Sequence, residues 1–327
     1  MARLAVSRDN LRQFYDARYS GQYMDRHGGL AAKRVKEVLG AVPIRVRTLL
    51  DYGCGQGGWL SLLSQAFPEA RITGVEISEV ALSQARAQYP EQQFYLLEKD
   101  TAPLDAESFD LIFSYHVLEH AYDIGKTAAD MARLVRPGGY LCLICPCGNR
   151  GSFEERVTGL IKNGKEKSIT GETRFFYEDP GHIRRMTSKE VIDLFINEGL
   201  EVYQEFYAHQ FWGAINWLGK GDAGLVRELL DVSRGVDAHA KLKLRCLRGL
   251  FLNFLTPLMN LYSLDWHNLI KKSDNRKLKN FSRLGLAPFK IVSWPFGIIL
   301  DTLATLEWRR HKHEPNGSEQ YLLLRKI

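Results

Sequence analysis

An α/β fold, with a mostly parallel sheet covered by helices on both faces, is predicted by three features of this 327-residue sequence. Short apolar strands alternate with helix-periodic segments from residue 46 to residue 145. A glycine-rich turn follows the first of those strands. A last alternating segment, Glu319 to Ile327, adds one more strand far along the chain.

The elements follow in order. From about Asn10 to Val42, apolar residues including Leu30, Val35, Val38 and Leu39 recur at helical spacing and stop at Gly40 and Pro43, a helical lead-in. A strand is expected at Val46 to Asp51 and a helix at Gly58 to Phe67, stopped by Pro68. A second strand, Arg71 to Ile77, leads to a helix from Glu79 to Tyr89, capped by Ser78 and closed by Pro90. Then come a strand at Gln93 to Leu97, a turn-rich loop to Ser108, a strongly apolar strand at Asp110 to Ser114 and a helix at Lys126 to Leu134. Beyond Pro137-Gly138-Gly139, Tyr140 to Cys145 reads as a buried strand. Gly148 to Met186 reads as a long polar loop. Thr187 or Ser188 caps a helix over Lys189 to Asn197, and Leu200 to Tyr207 alternates as a strand. The hundred or so residues before the last strand read as an insertion into the fold.

With 45% apolar and 25% charged residues, the composition is that of a folded protein. The net charge of +6 is unevenly spread. From Phe211 to Asn316 there are 17 Lys and Arg against 9 Asp and Glu, a net of +8, so the remainder of the chain is slightly acidic. A partner for the positive charge is therefore local to that segment. The five cysteines, Cys54, Cys142, Cys145, Cys147 and Cys246, are odd in number and lie mostly in apolar strands or turns, which argues against a disulfide framework. Cys145 and Cys147 lack the second pair that a four-ligand zinc site requires. No apolar stretch backs the N-terminal residues, so no signal peptide is expected and a cytoplasmic location follows.

Chemistry enters with Gly53-Cys-Gly55-Gln-Gly57-Gly58, which follows a strand and opens a helix. Such a turn lets backbone N–H groups and a helix N-terminus approach a polar or anionic ligand. The spacing alone does not separate a dinucleotide enzyme from other nucleotide-cofactor enzymes, and Glu76, at the tip of the next strand, can accept bonds from ribose hydroxyls in either case.

The surrounding set is more specific. Leu49-Leu-Asp-Tyr-Gly-Cys-Gly-Gln-Gly57, Gly74-Val-Glu-Ile-Ser78, Lys99-Asp100, Phe109-Asp-Leu-Ile-Phe-Ser-Tyr-His-Val-Leu-Glu-His120 and Leu134-Val-Arg-Pro-Gly-Gly-Tyr-Leu141 stand in order at even spacing. In these motifs the chain resembles the class I S-adenosylmethionine (AdoMet)-dependent methyltransferases, especially those acting on small molecules, quinones and glycans. The resemblance covers roughly residues 45–212 and the last strand. It implies a Rossmann-like, doubly wound sheet, mostly parallel with an antiparallel last strand, plus a mainly helical insertion. It also implies four parts: a lead-in (1–45), an AdoMet-binding domain (46–212), a basic and apolar helical insertion (213–316) and the last strand (317–327). AdoMet is the implied co-substrate. Gly53, Cys54 and Gly55 would pass under its methionine part, Glu76 would hold the ribose, Ile77 would pack on the adenine ring and Asp100 with Thr101 would face the adenine, with Asp51, Ser114 and Tyr115 also among the cofactor-binding residues.

Transfer of a methyl group from a sulfonium rests on alignment, because the leaving group is already good. A hydroxyl acceptor then needs a base, and histidine is suited to that role near neutral pH. His116 and His120, after the fourth strand, and His182, in the long loop with Tyr177, Glu178, Asp179, Arg184 and Arg185, are the catalytic candidates. His116-Val-Leu-Glu119-His120 also resembles the metal cluster of small-RNA end-methylating and ubiquinone-pathway enzymes, with His116 in place of their first Glu. No metal ligands are assigned, and a divalent metal is the disfavoured alternative.

Ser114-Tyr-His-Val117 is not the Asn- or Asp-Pro-Pro-aromatic motif of nucleic-acid amine methylation, so nucleic acid is disfavoured as a partner. In the insertion, Gly249 to Leu264 is sixteen residues without a charge, and Ile291 to Leu300 is a second apolar run containing Pro295. Both are too short to span a bilayer. Basic clusters flank them: Lys241, Lys243, Arg245 and Arg248 before the first run, then Lys271, Lys272, Arg276, Lys277, Lys279 and Arg283 before the second. That pattern suits a lid over the acceptor pocket or contact with an anionic membrane surface through residues 240–310. The expected function is methylation of a small or lipid-linked hydroxyl acceptor. The rivals are N- or C-methylation of a metabolite, a nicotinamide dehydrogenase, and a non-catalytic AdoMet-binding or membrane-docking module.

Overall fold

The computed structural model describes residues 8–21, 29–98, 100–161, 166–167, 173–174, 184–221, 223–263 and 276–327. Two helices, α1 (Arg8–Ser20) and α2 (Gly29–Leu39), make up the lead-in. The alternating region follows as β1 (Thr48–Tyr52), α3 (Leu60–Ala66), β2 (Arg71–Glu76), α4 (Glu79–Gln88), β3 (Gln93–Leu96), β4 (Phe109–Tyr115), α5 (Ile124–Leu134) and β5 (Val135–Pro146). Next come α6 (Phe153–Thr158), the short paired strands β6 (Glu166–Lys167) and β7 (Thr173–Arg174), α7 (Ser188–Ile196) and β8 (Leu200–Ala208). The insertion holds α8 (Trp212–Gly219), α9 (Ala223–Leu229), α10 (Ala238–Leu250), α11 (Thr256–Ser263) and the long α12 (Arg276–His311) before β9 (Glu319–Lys326).

Seven strands form one sheet in the order β3-β2-β1-β4-β5-β9-β8. The first five pair in parallel, and β9 runs antiparallel between β5 and β8. The parallel strands are buried on both faces, which is why they read as continuous apolar runs: Leu49, Leu50, Leu111, Ile112, Phe113, Leu141 and Leu143 are fully inaccessible. One apolar cluster lies under α2 and α3, with Val35, Val38, Leu60 and Leu63. Another lies under α5 and α7, with Met131, Leu134, Val191 and Phe195.

The caps explain the helix starts. Ser78 accepts from Ala81 N–H, and Asp123 accepts from Lys126 N–H, so α5 begins two residues before its expected start. Thr187, rather than Ser188, caps α7, in a reciprocal capping box with Glu190. Two expectations need correction. The segment Gly148 to Met186 is not one loop, because Ser152 caps the short helix α6 by accepting from Glu155 N–H. β5 starts at Val135 rather than Tyr140, because Val135 pairs with Phe109 before the Gly138 turn, at φ +73°, shifts the register. Pro288 and Pro295 both lie inside α12, which packs on α8 and α11 and so holds its course where isolated prolines would break it.

The insertion has an apolar cluster of its own, formed by Phe153 and Val157 of α6 with Ala214, Leu218, Val226, Leu244 and Phe251. Its helices are tied by buried and half-buried polar groups. Asp301 accepts from Asn216 (2.7 Å), Lys220 (2.8 Å) and Tyr262 (3.0 Å), joining α12 to α8 and α11. Glu307 accepts from the N–H groups of Phe211, Trp212 and Gly213, and so caps α8 from another helix.

Arg185 closes the sheet on the other side of β9. Its guanidinium pairs with buried Glu154 at 2.5 Å and donates to the carbonyls of Cys147 and Ser318. Arg185→Met leaves the Glu154 carboxylate buried without its cation, so the expected loss of stability is about 3–5 kcal/mol, read from urea unfolding.

Candidate active site

The carboxyl ends of β1, β2, β3 and β4 converge on the glycine turn. Gly53 has φ +82°, and a Cβ there would lie 2.2 Å from Cγ2 of Val117, so only glycine permits the turn to pass this close to the segment after β4. A Cβ on Gly55 would meet the Tyr19 hydroxyl at 2.6 Å, which places α1 directly over the turn. Gly53 and Cys54 both donate to the carbonyl of Val75, tying the turn to β2.

Parallel pairing sets Asp51 beside Gly74, so Glu76 stands two residues farther along, at the strand tip. Glu76 Oε2 accepts from Gly55 N–H (3.0 Å), and Oε1 accepts from the N–H groups of Ile77 (2.8 Å) and Ser78 (3.1 Å). These bonds fix the carboxylate and leave one of its four lone-pair positions open. Burial raises its pKa despite them. Asp51 is more exposed to this effect: buried, with Oδ2 lacking any hydrogen bond, its carboxyl is pushed up to about 8 by burial and then by the neighbouring Glu76 charge.

Asp100 lies in the turn after β3 in a left-handed conformation, at φ +62°. That turn is held by Asp130 of α5, which accepts from Ala102 N–H (2.8 Å) and Tyr52 O–H (3.1 Å) and pairs with Arg133. Thr101 is exposed, Ile77 is half-buried against α1 and α4, and Ser114 is buried with its hydroxyl unpaired. The Cys54 thiol is buried and held far above its usual pKa by burial, hence neutral. Tyr115 packs between Trp59 (4.6 Å between ring centroids) and His116 (4.5 Å).

The α1 helix covers this end of the sheet. Asp16 accepts from Ser78 O–H at 2.5 Å, Arg12 donates to the carbonyl of Leu97, and Tyr15 meets His120 edge to face at 5.4 Å. Nothing in the lead-in sequence singled these residues out, because a helix laid across a ligand cleft has the same periodicity as one packed on a core.

Beside the turn lies a second charged group of residues. His116, at φ +54°, holds Glu119 Oε1 at 3.0 Å from Nδ1 and Glu319 Oε1 at 3.0 Å from Nε2. Burial pulls the His116 pKa down, but the two carboxylates outweigh it and push it up to about 10. Both ring nitrogens therefore donate, and His116 is an imidazolium. Glu119 and Glu319 are buried, which opposes ionisation, yet both carboxyls lie below the usual range because of the histidines beside them. Tyr321 O–H donates to Glu319 Oε2 at 2.5 Å. Arg34 of α2 donates to Nε2 of His209 at 2.9 Å, and that same nitrogen lies 3.4 Å from Glu319. Glu319, His209 and Arg34 were not legible in the sequence: they stand up to 285 residues apart and share no motif spacing. His120, with its Nε2 3.9 Å from Glu119, is less buried than that carboxylate. His182 lies outside the described residues, as do Tyr177, Glu178 and Asp179. Among the described residues no group of three or more His, Cys, Asp or Glu is arranged to hold a metal ion.

The residues at the turn fit AdoMet. Asp51 is an acceptor without a donor, beside a turn that excludes Cβ atoms, and a ligand that carries an ammonium and a sulfonium supplies the positive charge that this carboxyl lacks.

A family model described as "Methyltransferase domain" matches residues 50–143. A probable S-adenosylmethionine-dependent methyltransferase of Mycolicibacterium smegmatis is 26% identical over 156 residues, 48% of this chain and 52% of that protein. A ubiquinone biosynthesis O-methyltransferase of Aromatoleum aromaticum is 38% identical over 122 residues, 36% of this chain and 45% of that protein. The matches thus span about half the length of these curated relatives. Among solved structures, the [4+2]-cyclase SpnF superposes with a TM-score of 0.52 at 14% identity, over 98% of this chain and 97% of that one, a likeness of fold.

The raised Asp51 pKa has a testable sign. Below pH 3.8 the carboxyl is protonated in both states; between there and about 8 the unfolded chain gives up the proton while the folded chain keeps it. Stability without cofactor is therefore expected to fall as pH rises across that window. Asp51→Asn should flatten the profile, measured as urea midpoints against pH. The same change should weaken AdoMet binding by roughly ten- to a hundredfold in calorimetry, the worth of a charged hydrogen bond.

Proposed function

From a chain that belongs to the class I AdoMet-dependent methyltransferases, we infer O-methylation of a small or lipid-linked hydroxyl acceptor, of quinone or glycan type, with a histidine as base. The observation that carries this reading is the pairing of two sites at one sheet end. The unpaired Asp51 lies beside the glycine turn on one side, and the His116, Glu119 and Glu319 group lies on the other.

AdoMet, when bound, supplies a methyl group on a sulfonium that needs no further activation. The chain's own residues then have three tasks. Asp51, Gly53, Cys54 and Gly55 hold the methionine part, Glu76 takes a ribose hydroxyl, and Ile77, Asp100 and Thr101 border the adenine, with Ser114 and Tyr115 at the boundary with the acceptor. His116 is committed on both nitrogens, so it serves to position Glu119 and Glu319 rather than to take a proton. Among the described candidates that leaves His120 as base, beside His182, which the sequence also offers: His120 lies between Tyr15 of α1 and the Glu119 carboxylate, which stabilises the cation formed when the acceptor proton is removed. Excluding water from this end falls to α1.

The acceptor class rests on the need for a base and on the basic, apolar insertion, whose helix α12 is fixed to the acceptor side. Its Glu307 caps α8 next to Arg34 and His209, and its Trp308 donates to Glu37 of α2. The ubiquinone-pathway relative is consistent with that class.

Incubation of the protein with methyl-labelled AdoMet and separated membrane and soluble extracts is expected to put label into a base-stable, ether-linked product in the lipid extract. Label in amines, or in none of the fractions, sinks the O-methylation reading. With the labelled acceptor in hand, His120→Ala should lower kcat by about a hundred- to ten-thousandfold with AdoMet affinity unchanged. A loss of that size in His182→Ala alone would move the role to His182.

A further inference from the structure

Among the described residues, the longest run of exposed apolar side chains is on α12. From Ile291 to Leu300 the chain has no charge, and only three positions of the run are buried: Ser293, Gly297 and Leu300. With Ala304 they recur at spacings of four, three and four, the face turned toward α8 and α11. Gly297 belongs there because a Cβ would lie 2.1 Å from the Tyr262 ring, which α11 presses against it. The other seven residues, Ile291, Val292, Trp294, Pro295, Phe296, Ile298 and Ile299, are exposed and all apolar. Ile291 is 72%, Val292 58%, Trp294 56% and Ile299 54% accessible.

A two-turn helix face of this composition has a free-energy cost in water that a solitary exposed leucine does not. Nor is it a loosely held strand of chain: Asp301 and Glu307, farther along α12, lock it to α8 and α11. Leu250 and Phe254, at the end of α10 and in the turn after it, are also about half exposed or more. Basic residues accompany the apolar ones. Lys241, Lys243 and Arg245 of α10 are exposed, and Arg276, Lys277, Lys279 and Arg283 precede the run in the sequence of α12.

We propose that the exposed face of α12 from Ile291 to Ile299 docks this protein on an anionic lipid bilayer, lying in the headgroup region without crossing it. Charge decides between occupants. The Phe211 to Asn316 segment carries +8, so a second copy would bring the same positive charge to the contact, whereas anionic headgroups neutralise it. Trp294 and Phe296 are the residue types that settle at the boundary between headgroups and acyl chains. The uncharged run from Ile291 to Leu300 is too short to span a bilayer, and no helix among the described residues is long and apolar enough to cross a membrane. From Ile299 to Glu307, which borders Arg34 and His209 through Gly213, is eight residues, roughly 12 Å of helix. A lipid-borne acceptor at this surface is thus within reach of the histidine group. The docking face itself stands on exposure and charge and does not rest on the methyl-transfer reading.

The test is flotation of the full chain with vesicles of phosphatidylcholine alone, or of phosphatidylcholine and phosphatidylglycerol in equal parts. The intact protein should float with the mixed vesicles, with binding weakened more than about tenfold on phosphatidylcholine alone or in high salt. The double variant W294E/F296E, whose changes fall on exposed positions and whose fold is checked by circular dichroism, should stay in solution. Intact protein that stays in solution with both vesicle types, or a folded double variant that floats like the parent, overturns the proposal. So does a dimer in analytical ultracentrifugation that the double variant abolishes while flotation is absent. Flotation needs no turnover, so its failure and a failure of the labelling experiment are read separately.

Discussion

Two carboxyl groups at the tips of adjacent parallel strands, Asp51 and Glu76, constrain everything at the working end of this molecule. Neither has ready access to water, and the Glu76 charge makes Asp51 harder still to ionise. Glu76 offsets part of the cost by accepting three backbone N–H bonds, which in turn fix the glycine turn and the start of α4. Asp51 has no such relief. Parallel register puts it there, the turn at Gly53 leaves no room for a compensating side chain, and the unpaired oxygen is the strongest sign that a cationic ligand completes the site.

The histidine side of this sheet end is built on the opposite principle, with charges paired to excess. His116 is held between Glu119 and Glu319, and Glu319 is shared with Tyr321 and approached by His209, itself bonded to Arg34. His116, His209 and, on the cofactor side, Asp100 all occupy the left-handed region at the ends of strands, a conformation that is costly for side chains other than glycine and that clusters at working sites. The antiparallel strand β9 makes this possible. Its first residue, Glu319, reaches the same end of the sheet as the last residues of β4 and β8 because β9 runs against β5 and β8 alike.

Fold does not fix chemistry here. The sheet and the glycine turn are a platform, and the chemistry depends on what is brought above it. In this chain that is α1, which lies over the turn through Tyr19 and Asp16, and the helical insertion, which joins the histidine group through Glu307 and Trp308 and carries an apolar face outward.

The sequence by itself determined the alternating α/β order, the glycine turn and the acids at Asp51, Glu76 and Asp100, because strand period, helix caps and left-handed turns are local effects written in neighbouring residues. It also marked His116 and His120, but not what they do. Whether His116 is a base or a fixed imidazolium depends on Glu319, 203 residues away, and no local pattern carries that contact. The same holds for α6, whose cap at Ser152 was obscured by surrounding glycines, and for α12, where Pro288 and Pro295 signal a break that packing against α8 and α11 overrides. Tertiary structure alone decided which apolar residues of the insertion are core and which are surface, since Leu300 and Ile299 are neighbours in a single uncharged run and only the position of α11 and α8 tells them apart.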